Sequence, residues 1–274
     1  MTELMSLTGR LTMSSVCGLE QVGDNQFRSV AMYLADGSAD AGRLFGGQVA
    51  AAALLSAGLT TGDRLPHSLH GYFLRPGRTD RPVTFRVERA RDGRVYTARR
   101  VSAYQDDREI FAMAASFSAP VEESGHVGMS LPARPDVPEP HDCEPLRVEP
   151  EIALEIRLCK RPTRAQYFPT LFWARHHQLD GNDFLAHAAA ITYLSDFSTG
   201  LSRQHGRWTL GSSVDHALWL HRSFLWHDWV LVELTAGVVD HMRGQYTGAI
   251  TDRLGRPVAS FGQEMVYRSD HETA

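Results

Sequence analysis

The chain has 274 residues, of which 43% are hydrophobic and 22% charged, and its formal net charge is −4. This composition is typical of a globular protein that is long enough to bury one large core or two ordinary ones. A nucleic-acid partner needs a concentrated basic face, so the charge balance excludes that class. No apolar run reaches the roughly 20 residues that a bilayer-spanning helix requires, so no membrane association is predicted.

Cysteine usage and the N-terminal segment bear on the compartment. Cys17, Cys143 and Cys159 are odd in number and widely spaced, and none stands in a metal-ligand spacing. The first residues lack a basic region followed by an apolar one, so they do not form a signal peptide. We therefore expect reduced thiols in a cytoplasmic protein that uses no metal and no cofactor.

The first half of the chain reads as one buried helix followed by strands. The segment GGQVAAAALLSAG (46–58) is apolar on nearly every side, which is typical of a buried helix rather than an amphipathic one. SLHGYFLRPG (68–77), with a histidine, aromatics and an arginine, comes next. Alternation and β-branched or aromatic residues then predict strands in PVTFRVERA (82–90) and VYTARRVSAY (95–104), and IFAMAASFSAP (110–120) closes this half.

A proline-rich segment separates the two halves. Nine of the 13 prolines lie between Pro120 and Pro169. Proline removes a backbone donor and resists regular structure. The sequence therefore predicts an N-terminal unit over residues 1–120, a partly extended linker over residues 121–169, and a C-terminal unit over residues 170–274.

The second half repeats the plan of the first. DFLAHAAAITYLSDFS (183–198) predicts another buried helix, and VDHALWLHRS (214–223) follows it as SLHGYFLRPG follows the first. Pairs such as His70 and His216, or Glu88 and Glu233, lie about 145 residues apart. One buried helix and several antiparallel strands, twice over, predict a duplicated α+β fold.

Several of these motifs, in this order, resemble the acyl-CoA thioesterase II family. They are FGGQV, SLHGYFLRPG, RDGRVYTARRVSAYQ, ASFSAP, YLSDFS, VDHALWLHRSF and VASFGQE, and together they span roughly residues 20–268. The resemblance implies a double hotdog, in which two repeats of a long buried helix are each wrapped by an antiparallel β-sheet. It also implies hydrolysis of acyl-CoA thioesters, a place in fatty acid metabolism, and a catalytic set in the C-terminal unit.

Asp196 is the first candidate catalytic residue. It lies at the end of an apolar predicted helix, where burying a carboxylate is costly. The helix dipole at the C-terminal end is also unfavourable for a negative charge. Burial would raise its pKa, and hydrogen bonds that keep it ionised would make it a better base. The family uses an Asp, a Thr or Ser, and a Gln together, and these match Asp196, Ser213 and Gln263. Ser and Gln supply donors that can orient one water molecule beside the carboxylate.

The glycine pair in GRLFGGQV is a weaker candidate. Glycines at a helix start leave backbone N–H groups accessible to a ligand. Gly47 and Gln48 are therefore predicted to contact the thioester or its oxyanion, although glycines placed only for close packing are the alternative interpretation.

Other readings stay open at this point. Asp215 and His216 suggest a hotdog-type enoyl-CoA hydratase or dehydratase, but neighbouring residues on a strand face opposite sides of the sheet, so the two cannot easily serve one site. The repeat pairs His216 with His70, which favours a structural role for His216. A non-catalytic acyl-CoA binding protein would keep the same fold. His176, His177, His187, Asp180 and Asp183 lie close together, yet adjacent histidines point in different directions, so metal binding is not expected.

Surface features suggest how substrate and partners meet the protein. Arginines supply nearly all of the positive charge, because Lys160 is the only lysine. Five of them are candidates for contacting the phosphates of CoA, namely Arg75, Arg78, Arg81, Arg99 and Arg100. Exposed sheet edges favour further pairing, which predicts a homo-oligomer, either a dimer or a tetramer.

Overall fold

The structure is a computed structural model, and it describes residues 18–29, 42–120, 136–146, 154–176, 179, 182–240 and 242–269. Its N-terminal part contains helix α1 (Gly46–Gly58) and six strands. The strands are β1 (Leu19–Gly23), β2 (Gln26–Ser29), β3 (Leu65–Phe73), β4 (Thr84–Asp92), β5 (Tyr96–Gln105) and β6 (Arg108–Ser118). Cys17, which precedes β1, lies outside the described residues.

The C-terminal part contains helix α2 (Phe184–Ser195) and the remaining strands. These are β7 (Glu144–Leu146), β8 (Leu154–Leu158), β9 (Leu171–His176), β10 (Gln204–His205), β11 (Trp208–Ser213), β12 (Asp215–Leu220), β13 (Val230–Asp240), β14 (Arg243–Asp252) and β15 (Pro257–Ser269). A single 3₁₀ turn, Pro140–Asp142, precedes β7. No helix in the described parts of the chain is long and apolar enough to cross a bilayer.

All fifteen strands belong to one antiparallel sheet. Its main path runs β1-β2-β4-β5-β6-β3-β12-β15-β14-β13-β9-β8-β7, and β11, with β10 beside it, pairs with β15. The two parts of the chain meet at β3 and β12, where Leu69 lies opposite Leu218. On either side of that junction the order β3-β6-β5-β4 mirrors the order β12-β15-β14-β13. The sheet is therefore continuous across the centre of the molecule.

Both helices are buried, as their uniformly apolar sequences predicted. In α1, the residues from Gly47 to Leu54 are all buried, and in α2 those from His187 to Ser195 are. The helices have 13 and 12 residues, which is an ordinary length for a globular protein rather than the long helix expected. Their alanines and leucines join the inward side chains of the strands in one large core.

The two helices run antiparallel and in close contact, and glycines permit this. A Cβ atom on Gly47, at the start of α1, would lie 2.7 Å from the carbonyl oxygen of Tyr193 near the end of α2. A Cβ atom on Gly58, at the other end of α1, would lie 2.4 Å from the side chain of Leu185 near the start of α2. The N-terminus of α1 therefore lies beside the C-terminus of α2.

The described residues of the segment expected to be a linker, 136–146 and 154–169, include β-strands. Its strands β7 and β8 extend the sheet beyond β9, with Ile156 opposite Ala174 in the β8–β9 pairing. Cys143 and Cys159 flank these strands as free thiols, and Cys143 packs with Trp173 and Leu231 in a small second cluster. The density of prolines in this segment did not reveal that β-strands occur between them.

Candidate active site

Asp196 lies where the two helices meet. It is the C-cap of α2, and its carboxylate accepts a hydrogen bond from the backbone N–H of Gly47 in the first turn of α1. Helix α1 has no side-chain N-cap of its own, so Asp196 satisfies one of its unpaired donors from across the helix pair. The positive end of the α1 dipole thus offsets the unfavourable end of α2.

Gln263 joins Asp196 to Ser213. Its side-chain amide nitrogen donates to Oδ1 of Asp196 at 2.8 Å and also to the hydroxyl oxygen of Ser213. Gln263 lies on β15, and Ser213 ends the neighbouring strand β11, where it pairs with Met265. The three residues predicted to act as a set therefore form one hydrogen-bonded group.

His216 completes this group, although the sequence favoured a structural role for it. Strand β12 pairs with β15 so that Ala217 faces Gly262, which brings the adjacent His216 and Gln263 side by side. The Nδ1 atom of His216 lies 2.5 Å from Oε1 of Gln263. Asp215 points away, as strand alternation predicted, and its carboxylate accepts from the backbone N–H of Glu264 at 2.7 Å.

The protonation of both ionisable groups is set mainly by burial. Burial raises the pKa of the Asp196 carboxyl above its ordinary value, while the charge of His216 and the hydrogen bonds from Gln263 and Gly47 oppose that rise. Burial lowers the pKa of His216, opposed by Asp196 and by Gln263. Burial thus opposes charge on both groups: it favours the uncharged imidazole and makes Asp196 more basic than an ordinary carboxylate.

A cavity of about 510 Å³ opens beside the Asp196–Ser213–Gln263 group. Its apolar wall comes from both parts of the chain and includes Phe45, Phe73, Phe111, Phe168, Phe197 and Ile110. Arg43, Arg75 and Arg268 supply its cationic lining. The lining of the cavity thus combines apolar side chains, three arginines and one carboxylate held by an amide.

Gly47 and Gln48 were predicted to contact the thioester, but neither residue lines this cavity. Both are buried within α1, and the backbone N–H of Gln48 bonds to the Phe45 carbonyl. Gly46 lines the cavity instead, and a Cβ atom added there would lie 2.7 Å from Oδ2 of Asp196. The glycine pair lets the helix N-terminus approach the carboxylate, and Gly47 binds the carboxylate directly.

Most of the arginines proposed for CoA have other partners. Arg99 is 1% exposed and bonds to Thr60 and Asp92 inside the protein. The other three outside the cavity are Arg78 and Arg81, which pair with Asp80, and Arg100, which pairs with Glu88. Of the five, Arg75 alone lines the cavity.

The histidine-rich segment before α2 has a structural arrangement. His187 accepts from the backbone N–H of Trp226 at 3.0 Å, and the His176 ring contacts the backbone oxygen of the same residue. Asp183 is the N-cap of α2 and accepts from the N–H of Leu185 at 2.9 Å. His177 and Asp180 lie outside the described residues. Among the residues that are described, no three ligand-type side chains converge as a metal site would require.

Comparison with known proteins connects this geometry to a family. Models of the acyl-CoA thioesterase N-terminal and C-terminal domains match residues 35–118 and 131–267. Acyl-coenzyme A thioesterase 8 of Mus musculus is 28% identical over 93% of this chain and 88% of its own length.

Solved structures are similar over nearly the whole chain. An acyl-CoA thioesterase II, TesB2, from Mycobacterium marinum has a TM-score of 0.74 at 29% identity, covering 96% of this chain and 99% of its own. A hot dog fold protein of unknown function from Alicyclobacillus acidocaldarius has a TM-score of 0.72 at 19% identity, covering 94% and 98%. The large antiparallel sheet around buried helices is thus a hotdog fold, and the chain belongs to the acyl-CoA thioesterase II family.

Proposed function

We propose that this protein hydrolyses acyl-CoA thioesters to a carboxylic acid and free CoA, with Asp196 as the general base. The observation that carries the mechanism is the Gln263 amide, which donates to both Asp196 and Ser213 at the wall of the cavity. A carboxylate, a hydroxyl and an amide on one side of a cavity are the groups needed to hold and deprotonate a water molecule.

The reaction proceeds in two steps. The water oxygen attacks the thioester carbonyl carbon while its proton passes to Asp196, which gives a tetrahedral oxyanion. The C–S bond then breaks, the carbonyl re-forms, and the proton on Asp196 passes to the CoA sulfur. Gly47 holds the carboxylate in place, and the N-terminus of α1 at Gly46 faces the developing oxyanion. A contact of Gln48 with the thioester stays a prediction from the sequence.

The lining of the cavity supports separate places for the acyl group and for the phosphates of CoA. The acyl group packs against the phenylalanine side, and the phosphates of CoA lie near Arg43, Arg75 and Arg268. Replacing Arg268 with Ala is expected to raise KM about tenfold and leave kcat nearly unchanged, because the lost contact is equal in the ground and transition states. Arg100→Ala is the matched control, since Arg100 pairs with Glu88 on the surface. An unchanged KM in Arg268→Ala would place the phosphates elsewhere.

We also propose that the fold is a double hotdog, with units over residues 1–120 and 170–274 and residues 121–169 joining them. The mirrored strand order about β3 and β12 supports this division. The active site draws Asp196, Ser213 and Gln263 from the second unit, but Gly47 comes from the first. A cytoplasmic location and a homo-oligomeric state remain predictions from the sequence. Light scattering of the purified protein tests the oligomeric state.

Thiol release from acyl-CoAs of short to long chain length tests the reaction itself. Release with at least one chain length is expected, and the panel then defines the acyl preference. Conversion of an enoyl-CoA without thiol release would instead identify a hydratase. Saturable binding without turnover of any thioester would identify a binding protein.

A further inference from the structure

The amide of Gln263 has two orientations, and only one of them suits the reaction. With the nitrogen towards Asp196 and Ser213, the two N–H groups donate to a carboxylate and a hydroxyl. After a half turn, the amide oxygen would instead face the carboxylate, and the two acceptors would repel each other. Gln263 is 2% exposed, so bulk water is not available to hold the amide in either orientation.

We propose that His216 is a positioning residue for the hydrolysis, because its Nδ1–H holds the Oε1 atom of Gln263 and thereby keeps the amide hydrogens on Asp196 and Ser213. This inference rests on the proposed role of those three residues. An amide oxygen can only accept, so the 2.5 Å contact requires the hydrogen to be on Nδ1 of His216.

Ser195 fixes the other side of the imidazole ring. Its hydroxyl oxygen lies 2.8 Å from Nε2 of His216 and also 2.8 Å from the carbonyl oxygen of Thr192, so the hydroxyl anchors the ring to the last turn of α2. The contacts then run from Ser195 to His216, from His216 Nδ1–H to the oxygen of Gln263, and from the amide hydrogens of Gln263 to Asp196. The chain of hydrogen bonds begins and ends on consecutive residues at the end of α2, and aligned bonds of this kind strengthen one another.

Burial makes this chain of donors hard to replace. His216 and Ser195 are each 1% exposed, so loss of the imidazole would leave the Gln263 oxygen buried without its donor. The sequence counterpart of His216, which is His70 on the adjacent strand β3, is instead exposed and lies edge to face with Trp219, with 5.2 Å between ring centroids.

The test compares two replacements of His216 in steady-state thiol release. His216→Leu fills the space without a donor, and we expect kcat to fall about 10- to 100-fold with KM within about threefold. His216→Asn places an amide N–H near the position of Nδ1–H, and at least a tenfold recovery of kcat is expected. His70→Leu is the matched control and should have wild-type kinetics.

A double-variant cycle separates positioning from general structural support. If His216 acts through Gln263, His216→Leu should change kcat less than twofold in a Gln263→Leu background. The inference is overturned by wild-type kcat in His216→Leu, by equal losses in both backgrounds, or by a folded His216→Asn that is as impaired as His216→Leu. Absence of thiol release by the wild type would instead refute the proposed function.

Ser195→Ala provides a second variant in case His216→Leu does not fold, because it keeps the imidazole and removes the hydroxyl that contacts Nε2 and the Thr192 carbonyl. A fall in kcat of about 3- to 10-fold is expected, and the effect should vanish in the Gln263→Leu background. An equal fall in both backgrounds, or none in either, would overturn the inference.

Discussion

Replacing Asp196 with Asn removes the proposed base and preserves the shape of the side chain. The Asn oxygen can still accept from the Gln263 amide, which donates to the Asp196 carboxylate at 2.8 Å, but it cannot take a proton from water. General-base assistance contributes typically 10²- to 10⁴-fold, or about 3–5 kcal/mol of barrier height. We therefore expect kcat for thiol release to fall by a factor in that range, with KM little changed.

The thermal stability of Asp196→Asn should not fall along with its activity. The folded protein raises the pKa of Asp196, so it binds that proton more tightly than the unfolded chain does. Stability from this group is full at low pH and is lost as the pH rises through the raised pKa. At pH 7 the ionised Asp196 therefore destabilises the fold, and Asp196→Asn should show no decrease in Tm. Loss of activity without loss of stability is typical of a catalytic group.

Asp183→Asn is the matched control, because it makes the same substitution at the other end of the same helix. Asp183 caps α2 through its bond from Leu185, and Asn caps a helix about as well as Asp. Its kinetics should match the wild type. Turnover by Asp196→Asn within threefold of the wild type would refute the role of Asp196 as base.

Other predictions follow from neighbouring features. In a plot of kcat against pH, activity should be lost on the acid side at a pH above the ordinary Asp pKa of about 3.9, because burial raises the pKa of Asp196. Loss of kcat only at or below that pH would contradict the role of Asp196 as base. Ser213→Ala should lower kcat about 10- to 100-fold while Ser213→Thr keeps the hydroxyl and most activity, and equal kinetics for both would exclude the hydroxyl. Gly46→Ala places a Cβ atom 2.7 Å from Oδ2 of Asp196, so kcat should fall at least about tenfold with an unchanged circular-dichroism spectrum, whereas normal turnover would show that the carboxylate can move. Burial raises the pKa of Cys159 to about 12. In a Cys17→Ser variant, a thiol-reactive dye at pH 8 should therefore label the folded protein far more slowly than the unfolded one. Equal labelling rates would contradict the burial of the Cys159 thiol.

Sequence patterns predicted the elements well because each pattern is local. The uniformly apolar runs around Ala50 and Ala190 could only be buried helices, and period-two alternation predicted the strands that follow them. The strands within residues 121–169 were missed because β7 and β8 are short, β7 contains Pro145, and β8 lies between Pro150 and Pro162. Their place in the sheet depends on the pairing of β8 with β9, which the local composition does not encode.

The catalytic set came from the family resemblance, and only tertiary structure shows how its members touch. Asp196 was notable in the sequence because a carboxylate ended an apolar helix, but nothing local indicated that the Gly47 N–H would bind it. That contact depends on the antiparallel packing of two helices more than a hundred residues apart in sequence. The role of His216 likewise depends on the register of β12 against β15, which brings its ring beside Gln263.

The sequence by itself therefore determined the buried helices and most of the strands. Those features follow from side-chain chemistry and from spacing along a single segment. Only the tertiary structure decided that Gly47 holds the carboxylate, that Gly46 rather than Gln48 lines the cavity, and which arginines remain near it. Each of these depends on the distance between atoms of different segments, which strand register and helix packing set and local sequence does not encode.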